Sequence, residues 1–192
     1  MKKTLLAVIA LILCAVTLFS FASCSDGGKK APAENAKNAE TIGSGKRVYF
    51  AGPLFNQAEK DYNLKLAELL EEYGYDVFLP QRDGIEAAAL EGKSEEELIE
   101  MIFSLDESEV KKADIIFMNL DGRVPDEGAC VELGIAYASG KRCYGFKTDT
   151  RSVELGMDLN PMISGCMIKI FKNFDGDKMI EEIKAYLSEN EL

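Results

Sequence analysis

The chain of 192 residues contains no histidine. That absence excludes the Ser-His-Asp triad, the Cys-His pair, the HExxH zinc site and most catalytic metal centres. Proton transfer then falls to carboxylates, tyrosine, lysine or cysteine. A basic surface is missing too. Lys and Arg number 22 against 33 Asp and Glu, for a net charge of −11. Nucleic-acid polymers need a cationic footprint and are poor partners for such a surface, whereas a neutral small molecule is acceptable. Cysteine is scarce, five in all, and no CxxC occurs, so neither a disulfide scaffold nor a cysteine metal cluster is expected. No internal repeat is present.

One long apolar run exists, and it lies at the amino end. Met1-Lys2-Lys3 leads into apolar sequence from Leu5 to Phe19, closed by small residues. This is the pattern of a secretory signal over residues 1–23; about 15 apolar residues is short for a spanning helix, which needs roughly 20. Phe21-Ala22-Ser23-Cys24 resembles a bacterial lipobox, with Phe in place of the usual Leu. Cys24 is then the expected lipidation site, and the protein is expected to be exported and lipid-anchored to a bacterial membrane surface. Residues 24–46 hold no aromatic residue and, of Ile, Leu and Val, only Ile42, as expected of a flexible linker. The folded domain is expected over residues 47–192. Of the cysteines in it, Cys130 and Cys143 fall in core elements, where a buried thiol is the ordinary role; Cys166 is the third.

Within the domain, solid apolar runs alternate with helical patterns. RVYFAG, YDVFLP, DIIFMNL, RCYGFK and MIKIF read as strands. Between them, residues 56–74, 94–113 and 126–141 read as helices, and residues 175–192 as a closing helix; Ser94 with Glu97 makes a capping box. Strands without polar alternation are buried on both faces. The expectation is an α/β fold with a doubly wound five-stranded parallel sheet in flavodoxin-like order. Ligands in such sheets bind beyond the carboxyl ends of the strands.

Two motifs fail on inspection. GSGK at 43–46 lacks the flanking Gly and Ser/Thr of a phosphate loop and precedes a strand instead of following one. Asp121 to Glu132 has the length of a calcium loop, but Arg123, Pro125 and Asp126 occupy positions that such a loop cannot give them. Other residues have ordinary structural readings. Asp126 can be a helix N-cap, Asp106 a solvated mid-helix acid, Tyr49 a core residue and Gln81 a turn residue.

Glu132 resists such a reading. Its neighbours at helical spacing are Gly128, Ala129, Ile135 and Ala136. A carboxylate in apolar surroundings costs several kcal/mol unless paired or hydrated, and no basic residue lies one turn away. With further acids near it and no histidine, paired carboxylates become the leading chemistry, as in enzymes that cleave bonds at an anomeric carbon.

VYFAGPLF, FLPQRDG, SLDESEVKKADIIFMNL, PDEGACVELGIAYASGK and DLNPM, taken in order and spacing, resemble the nucleoside 2-deoxyribosyltransferase family over about residues 47–172. The resemblance implies transfer of 2-deoxyribose from one nucleobase to another with retention, needing no metal or other cofactor. It implies Glu132 as nucleophile, Asp126 as an acid near the sugar hydroxyl and base, and Asp106 as the acid handling the base proton. It further implies that Tyr49 positions the nucleophile and that Gln81 contacts the base. Asn160 and Met162 would be lent to the site by a neighbouring subunit of a homo-oligomer. Some relatives use their terminal carboxylate in the site; the closing helix, expected to run to Leu192, does not carry that role over. The implied partners are deoxynucleosides and free nucleobases, with the membrane touched only through the lipid. Two alternatives share these features: an N-glycoside hydrolase of deoxynucleosides or deoxynucleotides, and an exported nucleoside-binding lipoprotein.

Overall fold

The computed structural model describes Gly43, residues 45–151 and residues 156–192. The expected signal peptide, Cys24 and most of the expected linker lie outside the described residues. In chain order the elements are β1 (Arg47–Ala51), α1 (Gln57–Glu72), β2 (Asp76–Phe78), α2 (Pro80–Asp83), α3 (Ala87–Leu90) and α4 (Glu95–Lys112), followed by β3 (Ile115–Asn119), α5 (Glu127–Ala138), β4 (Arg142–Lys147), α6 (Pro161–Cys166), β5 (Lys169–Lys172) and α7 (Gly176–Leu187). Every strand pair is parallel, and the order is β2-β1-β3-β4-β5. This is the doubly wound order expected from the apolar runs.

Side chains alternate across each strand and divide the core in two. Val48, Phe50, Ile115, Phe117, Tyr144 and Phe146 face one side, where α1 and α7 supply Leu66, Leu70, Met179 and Ile183. Tyr49, Ala51, Phe78, Ile116, Met118 and Cys143 face the other, covered by Val110 of α4 and by Ala129, Leu133 and Ala136 of α5. The small residues of α5 therefore let that helix lie close on the sheet. The capping box read from Ser94 and Glu97 is formed at the start of α4, and a second one, Asn56 with Glu59, starts α1.

Three local features differ from the sequence reading. Gly43 and Gly45 donate to the carbonyls of Tyr73 and Gly74, so the stretch expected to be linker is tied to the α1–β2 turn at these residues. A short α6 follows Asn160, whose side chain caps it and whose next residue, Pro161, occupies the first helical position. The closing helix stops at Leu187 instead of running to Leu192. Ser188 turns its hydroxyl onto the Lys184 carbonyl, and the Leu192 amide donates to the Tyr75 hydroxyl. Leu192 is fully buried. Burying its side chain is worth about 2 kcal/mol, more than a further turn of exposed Ser-Glu-Asn-Glu helix could return.

Candidate active site

β1 is followed directly by Gly52, whose φ is +155°. A Cβ there would sit 2.6 Å from that of Asn119, so glycine is what lets the chain cross the end of β3 at this distance. Beyond the ends of β1, β3 and β4 opens a cavity of about 640 Å³, lined among others by Pro53, Phe55, Tyr62, Asn119 and Asp126. This is the crevice at the point where the strand order reverses. Among the described residues its charged lining is Glu59, Asp121, Asp126, Glu127 and Asp149 against Arg151, itself paired with Asp149. A second cavity of about 430 Å³ lies between α4 and α5. Its walls are apolar, from Leu98, Ile99, Ile102, Phe103, Val131 and Ile135, and its carboxylates include Asp106 and Glu132.

Glu132 and Tyr49 meet across the sheet face. The Tyr49 hydroxyl donates to Glu132 Oε1 at 2.7 Å. Tyr49 is completely buried and stacks on Phe78, with ring centroids 5.6 Å apart, which fixes the position of the hydroxyl. Glu132 Oε2 accepts no hydrogen bond among the described residues. Burial pushes the Glu132 carboxyl up to about 7; the Tyr49 hydrogen bond opposes this, and the nearby charges of Asp106 and Asp126 add to it. Burial also raises the Asp106 carboxyl, again against the Tyr49 hydroxyl. Tyr49 itself is driven strongly upward, by burial first and then by Glu132 and Asp106. The group is thus one phenol held neutral between two carboxyls that both resist ionisation.

Asp126 caps α5 through Oδ1, which accepts from the Ala129 amide at 2.8 Å. The structural reading of Asp126 as an N-cap therefore holds, yet the residue also lines the larger crevice. Gln81 lines neither cavity: its amide donates to the Lys60 carbonyl at 2.7 Å, and its Oε1 lies 3.5 Å from the Asn63 amide. Asn160 and Met162 also stand apart from both cavities. Asn160 caps α6, and the Met162 side chain projects into solvent, 80% exposed. The structure thus joins Tyr49, Glu132 and Asp106, puts Asp126 on the adjoining rim, and leaves Gln81, Asn160 and Met162 outside.

Sequence reasoning missed the apolar face beside the acids. Ile99, Ile102, Phe103 and Val131 are between 45% and 61% exposed. Its signal was present, because the run LIEMIF carries apolar residues on more of the helix than one core stripe requires.

Removing the phenol hydroxyl separates these contributions. Tyr49→Phe deletes a hydrogen bond to a charged group, worth about 1.5–3 kcal/mol. The Glu132 carboxyl should then titrate about 1–2 pH units higher. The acid limb of any activity that needs ionised Glu132 moves up with it. A pH–rate profile unchanged by the substitution would show that the hydroxyl does not tune the carboxylate.

These features define a doubly wound α/β protein with a carboxylate site at its strand ends. The chain belongs to the nucleoside 2-deoxyribosyltransferase family, a family of enzymes whose sequence profile matches residues 48–190. Among solved structures it is similar to a 2-deoxyribosyltransferase from Bacillus psychrosaccharolyticus, with 27% identity over 73% of this chain and 95% of that one, at a TM-score of 0.57. It is also similar to a conserved protein from Enterococcus faecalis V583, with 25% identity over 73% of this chain and 98% of that one, at a TM-score of 0.55. A 2-desoxiribosyltransferase from Leishmania mexicana shares the fold, with 20% identity over 75% of this chain and 98% of that one, at a TM-score of 0.52. No curated protein sequence matches the chain.

Proposed function

We propose that the protein transfers 2-deoxyribose between nucleobases through a covalent intermediate on Glu132. The observation that carries this reading is the Tyr49–Glu132 contact, which holds one carboxylate oxygen and leaves the other without a hydrogen bond among the described residues, with Asp106 as a second carboxyl in the same cavity. Glu132 Oε2 attacks the anomeric carbon. The glycosidic C–N bond breaks, its electron pair leaves with the base, and Asp106 supplies the proton that the base nitrogen takes up. The raised position of Asp106 favours the protonated form this step needs. A second base reverses the sequence, and two displacements at one carbon give retention. The apolar walls strengthen the interaction of the carboxylates with the cationic transition state and limit access of water to the sugar ester.

The charge of the larger crevice supports unphosphorylated substrates, since the five carboxylates and one paired arginine among its described residues repel a 5′-phosphate.

Incubating the full-length chain with thymidine and free adenine should yield deoxyadenosine and thymine. Thymidine 5′-monophosphate should react about tenfold more slowly or worse. Free deoxyribose as the main product would identify a hydrolase instead, and unchanged thymidine a binding protein.

A further inference from the structure

We infer that Lys147 is a positioning residue for this site, clasping the loop between β3 and α5 so that Asp126 and the start of α5 are held in place. The inference rests on the reading of Asp126 and Glu132 as functional residues.

Lys147 is the last residue of β4 and is 4% exposed. Among the described residues no carboxylate lies within ion-pair distance of it. Its ammonium instead reaches the backbone carbonyls of Gly122 at 3.3 Å and Leu120 at 3.5 Å. A buried ammonium with only carbonyl partners is costly to the fold, and an apolar chain of the same length would fill the space without that cost. The contact is also reciprocated. Asp121, lying between the two carbonyls, accepts from the amides of Thr148 at 2.5 Å and Asp149 at 2.8 Å, and from the Thr148 hydroxyl. The end of β4 thus donates a cation to the loop backbone, and the loop returns a carboxylate to the backbone after β4.

The loop needs such a hold. Gly122 has a φ of +114°, and a Cβ there would meet the Val124 carbonyl at 2.7 Å. Four residues further on, Asp126 caps α5, and six residues after that comes Glu132. A loop free to move would carry the cap and the rim of the crevice with it, and errors of an ångström in such placement weaken binding and turnover.

The test uses Lys147→Met in the full-length chain, with deoxynucleoside kinetics, amide hydrogen exchange and a thermal melt measured together. KM should rise about tenfold or more, with a smaller change in kcat. Exchange should quicken at Thr148, Asp149 and Ala129 while the strand amides of β1 and β4 stay protected. Asp121→Ala, which breaks the other half of the clasp, should give the same pattern, and the double variant should be no worse than the more severe single one. Wild-type KM together with wild-type loop protection in Lys147→Met would overturn the inference whatever the melting temperature does. If that variant fails to fold, Asp121→Ala decides. If the wild-type protein turns over no nucleoside, the functional reading fails, and loop protection alone judges the clasp.

Discussion

Glu132→Gln is expected to lower turnover by several orders of magnitude while making the protein more stable above pH 7. The amide keeps the shape and an oxygen for the Tyr49 hydroxyl. It removes the charge that attacks the anomeric carbon and steadies the developing cation, so nucleophile and electrostatic stabilisation disappear together. Stability moves the opposite way. The Glu132 carboxyl titrates near 4.5 when unfolded and at about 7 when folded, so the native state holds its proton more tightly between those values. Its contribution to folding is complete below about pH 4.5 and is lost as pH rises through 7. By pH 8 the loss amounts to about 3 kcal/mol, which the neutral amide avoids. Below pH 4.5 the two proteins should melt alike. A glutamate with a structural task would show the reverse, with a lower melting temperature and turnover intact. Mass spectrometry of wild-type protein quenched with deoxynucleoside and no acceptor should find a deoxyribosyl adduct on the peptide containing Glu132. An adduct elsewhere, or normal turnover by Glu132→Gln, would refute the assigned mechanism.

Mixing two inactive variants is expected to restore activity. Asn160 and Met162 lie outside both cavities of their own chain, and Met162 is largely exposed. The cavity holding Glu132 is walled by Ile99, Ile102, Phe103 and Val131, which leave about half of their surface exposed in one place, and grouped apolar exposure of this kind marks interaction surfaces. Both observations support an assembly in which α6 of one subunit completes the site of another. In a dimer formed from Glu132→Ala and Asn160→Ala chains, one of the two sites carries neither substitution. With random exchange of subunits, the mixture should recover about a quarter of wild-type activity. Each variant alone should stay inactive at any concentration. A fully active monomer in sedimentation, or a mixture no better than its parts, would refute the shared site.

The sheet was legible because its strands are written as unbroken apolar runs. DIIFMNL and RCYGFK leave no place for a solvent-facing side, and the helical patterns between them fix parallel pairing. Glu132 was legible for a related reason: a carboxylate among Gly128, Ala129, Ile135 and Ala136 contradicts its local pattern. Lys147 contradicts its own pattern as plainly, closing the apolar run of β4, but a terminal lysine on a strand is ordinarily a solvated charge. Only the fold shows that the β3–α5 loop covers it. Gln81 illustrates another limit. Sequence places it after β2 near the ligand edge, while the direction of its amide depends on α1 and the Lys60 carbonyl, which no local pattern encodes. The stop of α7 at Leu187 depends likewise on a slot beside Tyr75, more than a hundred residues earlier in the chain.

That slot has a practical consequence. Leu192 sits at the edge of the sheet where the strands begin, and Lys46, just ahead of β1, pairs there with Glu191. The crevices lie at the other edge. A label carried on Lys46 or Glu191 therefore stands at the opposite end of the sheet from both cavities. Leu192 has no exposed surface, so a change to its packing acts on the stability of the fold and leaves both cavities untouched.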